Sequence, residues 1–350
     1  MTDYFKKEPY DSEFFNEYIN PRLPAKVFDF HAHITRPSDC TAVSKEAVDE
    51  DWAMQCGFTM TFDDYARYCT TLWAGRKTEA NVFPMPCRGI DLKSANTHIY
   101  ELMQSENNRD VKITSAAMCV DPSYDADECE QLLLERGFIG YKPYPDLVAE
   151  KGSEIGIFDF LPHKFLKTLD RHKKAVVIHL PRPLRLADKN NIRELLEMRQ
   201  TYPDVKIVIA HYGRCYNIEY AESALADFGS DIDGFYFDTT AVINPAVHAF
   251  MLEHIAHHKI FFGTDLPILR WHGRRTWANK TYHNFSREAF DWNKDSHESP
   301  EAEAKYTFLL YEQVRNMLDA LEKAGGKQLI EDVFYNNATA FVNQIKNNSK

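Results

Sequence analysis

The chain has 350 residues, 44% of them hydrophobic and 27% charged. That composition excludes a mainly disordered or collagen-like protein, and the length allows roughly three quarters of the unfolded surface to be buried without metal or disulfide staples. With 41 Lys+Arg against 52 Asp+Glu the formal net charge is −11, which argues against nucleic acid as the main partner.

In chain order, residues 1–24 read as an N-terminal helical extension whose apolar side carries Phe14, Phe15 and Tyr18. Eight short runs rich in β-branched and aromatic residues follow, at 27–34, 82–88, 112–120, 138–143, 175–180, 206–211, 234–239 and 259–265. Pro84 and Pro86 interrupt the second, making it the weakest strand. Helical stretches at 127–136, 161–172, 191–201 and 245–258 lie between them, and 306–323 and 328–345 close the chain. Eight strands with helical crossovers predict an α/β chain folded as a (β/α)8 TIM barrel, one domain spanning 1–350. Three connections exceed the usual 2–6 residues: 35–80, 144–160 and 270–300. All leave the carboxyl ends of strands, so they are read as long insertions on the face where barrel enzymes build their sites, with 35–80 and 270–300 over the mouth.

No window supplies the roughly 18 consecutive apolar residues of a membrane helix, and the first thirty residues lack the order of a secretory signal. Seven cysteines, odd in number and without a C-x-x-C pair, fit reduced thiols in a cytoplasmic protein. A homo-oligomer is compatible with all of this.

The first strand reads Val27-Phe28-Asp29-Phe30-His31-Ala32-His33-Ile34. Side chains alternate across a strand, so Asp29, His31 and His33 are expected on one face, the two imidazoles about 6–7 Å apart and able to converge on a metal. A hydrogen-bonded interior histidine is the competing reading for either ring. Other strands decide between them. The fifth ends Val176-Val177-Ile178-His179, the sixth Val208-Ile209-Ala210-His211, and the eighth Phe261-Phe262-Gly263-Thr264-Asp265. Apolar runs that each end in one imidazole or carboxylate are unusual, because a buried ionisable group is costly unless paired or bound to a metal. In a barrel these ends ring one mouth. Four imidazoles and a carboxylate suit zinc, with manganese, iron or cobalt as alternatives.

The motifs F-D-x-H-x-H at 28–33, I-H at 178–179, A-H-x-G at 210–213 and G-T-D at 263–265, with the closing Phe334-Tyr335-Asn336-Asn337-Ala338, resemble the amidohydrolase superfamily. Within it they resemble the amidohydrolase-related (amidohydrolase 2) branch of aminocarboxymuconate-semialdehyde decarboxylase-like, metal-dependent enzymes. The resemblance implies His31, His33, His179 and Asp265 as metal ligands. It implies His211 either as a second-site ligand or as the residue that activates water or relays a proton. Lys142, near the end of the fourth strand, matches the lysine that two-metal members carboxylate to bridge their ions. The alternative is a free ammonium binding substrate or pairing with Asp29 or Asp265. One ion is the expectation, two if Lys142 is carboxylated.

The mechanism that follows is metal-dependent hydrolysis, with Asp265 and His211 as catalytic residues and a small anionic amide, lactone or similar carbonyl compound as substrate. Nonoxidative decarboxylation of an unsaturated or aromatic acid, a lyase reaction, is the alternative. Arg36, Arg182, Arg214, Arg270, Arg274 and Arg275 cluster just beyond the strand ends and suit an anion. Arg182 and Arg214, each three residues past a site histidine, are the expected substrate contacts, with Tyr141 and His272 beside them. Trp271, His272 and Trp277 are candidates for a lid. The histidines at 254, 257 and 258 end a helix at the opposite mouth and are set aside.

Overall fold

A computed structural model describes residues 5–105 and 110–348. Eight parallel strands follow one another in space as they do in sequence: β1 (Lys26–His33), β2 (Lys77–Phe83), β3 (Val111–Cys119), β4 (Gly140–Lys142), β5 (Ala175–Ile178), β6 (Lys206–Ile209), β7 (Tyr236–Asp238) and β8 (Ile260–Phe261). The chain beyond β8 returns to β1: Phe30 N donates to Phe262 O at 2.9 Å, Asp265 N to His31 O at 2.8 Å and His33 N to Leu266 O at 2.8 Å. These bonds draw the sheet into a nearly closed barrel with helices between successive strands, as expected of a (β/α)8 chain. The strands are buried on both faces because helices cover them outside and side chains fill them inside. At Gly140 any Cβ would fall 1.7 Å from the Ala175 carbonyl oxygen, so β4 and β5 approach closely only because that position is glycine.

Two expectations need correcting. The second strand lies at Lys77–Phe83, ahead of the predicted 82–88. Its first half, Lys-Thr-Glu, is polar because Lys77 is exposed and Glu79 half-buried at the barrel's far end, while Pro84 cannot extend the ladder. Segment 270–300, read as a loop, contains a hairpin of β9 (His272–Ala278) and β10 (Thr281–Ser286), joined on its other edge by β11 (Thr307–Phe308). Its two-residue turn places Asn279 and Lys280 at φ 51° and 62°, the paired positive values that a tight hairpin needs.

The N-terminal extension forms a helix at Pro9–Phe14 continued by a wider turn at Phe15–Ile19; Phe14 and Phe15 are buried and Tyr18 is at the surface. Asp11 ties it to the hairpin sheet by accepting from His272 at 3.0 Å and from the Thr307 hydroxyl at 2.8 Å. Segment 35–80 holds short helices at Lys45–Glu50 and Trp52–Cys56 and a longer one at Phe62–Leu72. Among the described residues no helix is long and apolar enough to cross a membrane, and all seven cysteines are free thiols.

Candidate metal centre

The strand ends place their polar residues around one cavity of about 280 Å³. Its lining includes His31 and His33 from β1, Lys142 from β4, His179 beyond β5, His211 and Arg214 beyond β6, and Asp265 beyond β8. Aromatic walls come from Tyr144, Tyr216 and Tyr282, and the 35–80 segment contributes Asp51, Trp52 and Met54.

What each ring offers the cavity follows from an account of its two nitrogens. His31 Nδ1 lies 2.9 Å from an Asp238 oxygen, His33 Nδ1 3.3 Å from Pro84 O, and His211 Nδ1 3.1 Å from Thr240 O. These partners are acceptors, so each Nδ1 carries the proton and each Nε2 keeps its lone pair. The Nε2 atoms of His33 and His31 stand 3.3 and 3.5 Å from the same Asp265 oxygen. Donors each bonded at about 2.0–2.1 Å and disposed tetrahedrally around one zinc would be roughly 3.3–3.4 Å apart. The donor set therefore fits a divalent ion. His31, His211 and Asp238 form a second such grouping, but there Asp238 is already committed. It accepts from His31 and from the His211 and Thr240 backbone N–H groups, and it contacts the Thr240 hydroxyl.

Burial depresses the His31, His33 and His211 imidazoles, the last to about 4, against the opposing pull of Asp238 and Asp265. His179, half-buried on the cavity wall, is lowered well below the usual imidazole range by desolvation and by Arg214; its ring stands 5.1 Å from that of His211 and 4.7 Å from that of Tyr144. Burial alone would raise Asp265, but the surrounding His211, His33 and His31 rings hold its carboxyl well below the usual range. Lys142 is fully buried, which lowers its ammonium to about 8, and its Nζ has no hydrogen-bond partner among the described residues. The expected pairing of Lys142 with Asp29 or Asp265 is therefore absent among them.

The backbone is bent to make this convergence. β1 carries a bulge between Asp29 and Ala32, so simple alternation fails there and Asp29 does not line the cavity. Its carboxylate instead accepts from the Thr264 hydroxyl (2.6 Å), Thr264 N (2.9 Å), Tyr65 Oη (2.9 Å) and His31 N (3.2 Å), while burial raises it to about 7. Asp29 thus fastens β1 to the Asp265 strand end. Gly263 completes that joint, since a Cβ there would meet Thr240 at 2.6 Å and His31 at 3.0 Å. Beyond β6, residues His211, Tyr212, Gly213 and Arg214 all have positive φ, between 47° and 67°. For non-glycine residues that conformation costs about 1–2 kcal/mol each, and the turn holds His211 and Arg214 on the cavity.

Three predicted substrate contacts lie elsewhere. Arg182 grips Glu194 through two bonds of 2.9 and 3.0 Å and Asn191 at 2.6 Å, outside the cavity lining. The Tyr141 side chain points away from the mouth, packing edge-on against Phe165. His272 is enclosed between Asp11 and Glu288, at 3.0 and 2.7 Å, in the hairpin sheet. Arg214 does line the cavity. Asp238 escaped the sequence reading although it carries the same signal as the others: an apolar run, Phe235-Tyr236-Phe237, that ends in an acid. The cavity tyrosines and Asp51 had no such signal.

The amidohydrolase family model (Amidohydro_2) matches residues 28–344. This chain belongs to that family. Its enzymes are metal-dependent, and the resemblance seen in the strand-end motifs holds for nearly the whole chain. Similar solved structures include a 4-oxalomesaconate hydratase from Rhodopseudomonas palustris, 15% identical with a TM-score of 0.56, covering 92% of this chain and 97% of its own. A 5-carboxyvanillate decarboxylase from Novosphingobium aromaticivorans, complexed with manganese and a nitrobenzoic acid, is 13% identical with a TM-score of 0.53, covering 98% and 99%. A protein from Acinetobacter baumannii described as a probable 2-pyrone-4,6-dicarboxylic acid hydrolase, with citric acid bound, is 14% identical with a TM-score of 0.52, covering 91% and 99%. At these identities the likeness establishes the barrel. Comparison with curated protein sequences finds no match.

Proposed function

We propose that the chain is a metal-dependent hydrolase acting at a carbonyl carbon of a small, planar, anionic substrate. The observation that carries this reading is Asp265: an ionised carboxylate within 3.5 Å of two imidazole Nε2 atoms whose Nδ1 atoms are engaged. His31, His33 and Asp265, with His179 on the adjoining wall, would hold one divalent ion, zinc or manganese by donor chemistry. When bound, such an ion supplies Lewis acidity, lowering the pKa of water and polarising a substrate oxygen.

The protein's own groups do the rest. Asp265 accepts a proton from the attacking water and returns it to the leaving group. His211 donates its Nδ1 proton to Thr240, so its Nε2 is an acceptor and orients that water. The Lys142 ammonium, with three unused donors, stabilises negative charge developing on the carbonyl oxygen. Arg214 receives a substrate carboxylate.

Nonoxidative decarboxylation is the second reading. It is favoured by the cavity's flat aromatic walls, Tyr144, Tyr216 and Tyr282, which suit an aromatic acid like the one bound by the manganese-containing neighbour. Metal analysis and a screen of planar lactones, amides and aromatic acids, read by product mass, test both. About one ion per chain and products that have gained water support hydrolysis. Carbon dioxide release overturns it for the lyase reading, and no retained ion with no activity recovered on adding zinc or manganese overturns both.

A further inference from the structure

The arginines near the mouth fall into two groups. Arg36 pairs with Asp39, Arg182 with Glu194, and Arg274 with Glu298. Arg185, Arg214 and Arg275 make no ion pair among the described residues. In a chain with 52 acids and 41 bases this is not for lack of acids, and a buried cation without a counter-charge is costly. Arg275 is only 4% exposed; it bonds Asn284 Oδ1 at 2.7 Å and Ala241 O at 2.8 Å, and its Nη2 has no hydrogen-bond partner among the described residues. Arg214 bonds Leu180 O at 3.1 Å, and its buried Nε has no hydrogen-bond partner among the described residues. Arg185 makes one hydrogen bond among the described residues, of 3.3 Å to Arg214 O.

Two of these guanidinium groups address the same pair of rings. Arg185 lies 4.9 Å from the Tyr216 centroid and 5.8 Å from that of Tyr282; Arg275 lies 5.1 and 4.4 Å from them. The rings meet edge-on at 5.1 Å, and both line the cavity beside Arg214. A cation against an aromatic ring draws on its negative face, leaving the wall less repulsive to an anion than tyrosine alone. Asp51 also lines the cavity, but its oxygen accepts from Ala53 N at 2.8 Å and it forms no ion pair with Arg214. The wall thus holds three positive charges, none of them closed into an ion pair by an acid among the described residues, although Asp51 and Asp265 lie within electrostatic reach.

We propose that this wall, part of it supplied by the β9–β10 hairpin, is a second anion subsite that selects planar substrates carrying an additional acidic group, dicarboxylates over monocarboxylates. The inference rests on the reading above that the cavity takes a small planar anion. Arg214, which receives the substrate carboxylate in that reading, is the contact residue, so the additional acidic group is the one lying away from the ion site. The carboxylate of a monoacid such as benzoate takes the place of the reacting carbonyl beside His31, His33 and Asp265. Arg185 and Arg275 are positioning residues, acting through Tyr216 and Tyr282.

Calorimetric titration of the metal-loaded protein with isophthalate and with benzoate tests this. Isophthalate is expected to bind at least about tenfold tighter, the gain of one charge-assisted fork. Arg275→Met and Arg185→Met should each bring the ratio to within about twofold of unity with the benzoate Kd unchanged, and Arg185→Lys, which keeps a cation over the rings, should restore part of it. Arg185 is half-buried with one weak bond, so its variants carry the test if Arg275→Met does not fold. Equal affinities, no binding of either acid, or a preference indifferent to Arg185 overturns the subsite. Repeating the titration after metal removal separates the two readings. Benzoate binding indifferent to the metal, with the preference kept, overturns the metal-site reading alone. Metal-dependent benzoate binding without a preference overturns the subsite alone.

Discussion

Two clusters in this molecule bury imidazoles among carboxylates, and they are built to opposite ends. At the barrel mouth His31, His33 and His211 each spend Nδ1 on an acceptor and leave Nε2 toward the cavity, where Asp265 waits. In the hairpin sheet His272 spends both nitrogens, one on Asp11 and one on Glu288. Burial opposes its protonation, but those two acids outweigh burial and raise it to about 9, whereas the mouth imidazoles are depressed. The first cluster has coordination capacity to spare; the second is a closed ion network joining the N-terminal helix to β9. A buried histidine beside an acid is thus not by itself a site, and the free nitrogen makes the difference.

The contrast can be broken most forcefully at Asp265. Asp265→Ala should lower activity by about 10³-fold, several kcal/mol of lost transition-state stabilisation, and abolish metal retention after dialysis while leaving the circular dichroism spectrum unchanged. Retained metal would place the ion elsewhere. His272→Leu should do the reverse, costing about 3 kcal/mol in urea unfolding because Asp11 and Glu288 are left buried without their cation, with metal content intact. The pH dependence has a definite sign. His272 is raised from 6.5 to about 9 in the folded state, so its contribution is complete below pH 6.5 and is lost as pH rises through 9. The wild-type stability should fall over that window, and His272→Leu should lack that component of the slope.

Asp238→Asn sharpens the comparison from inside the mouth. It keeps the shape but weakens the acceptor that fixes the His31 tautomer, so metal affinity should drop roughly 10–100-fold, measured by competition with a chelator. The smallest effect belongs to Arg182→Gln. Because Arg182 is committed to Glu194, substrate KM should move less than about twofold while stability falls by about 1–2 kcal/mol.

How much of this was written in the sequence varies residue by residue. The barrel was legible because most of its strands are short apolar runs with crossovers between them, and His31, His33, His179, His211 and Asp265 stood out as polar endings to such runs. β2 was displaced because its polar first half hides the strand, and the hairpin at 272–286 because polar residues are mixed with Trp277, Tyr282 and Phe285 on both of its faces, leaving no continuous apolar one. Arg182 looked equivalent to Arg214, both three residues past a histidine. What separates them is Glu194, twelve residues further on in a neighbouring helix, which spacing alone cannot place beside one arginine and not the other. His272 misled for a related reason: its partners come from opposite sides, Asp11 near the start of the chain and Glu288 beyond β10.

The left-handed turn at His211–Arg214 has a further consequence. It joins the ring proposed to hold water to the guanidinium proposed to hold a carboxylate through four residues of tightly constrained backbone. The turn fixes the separation of their Cα atoms, and the bond from Arg214 Nη1 to Leu180 O then holds the guanidinium, so turn and bond together work as a ruler. Acids whose reacting carbon and terminal carboxylate match its length fit without adjustment, and a homologue one methylene longer must distort either itself or the turn.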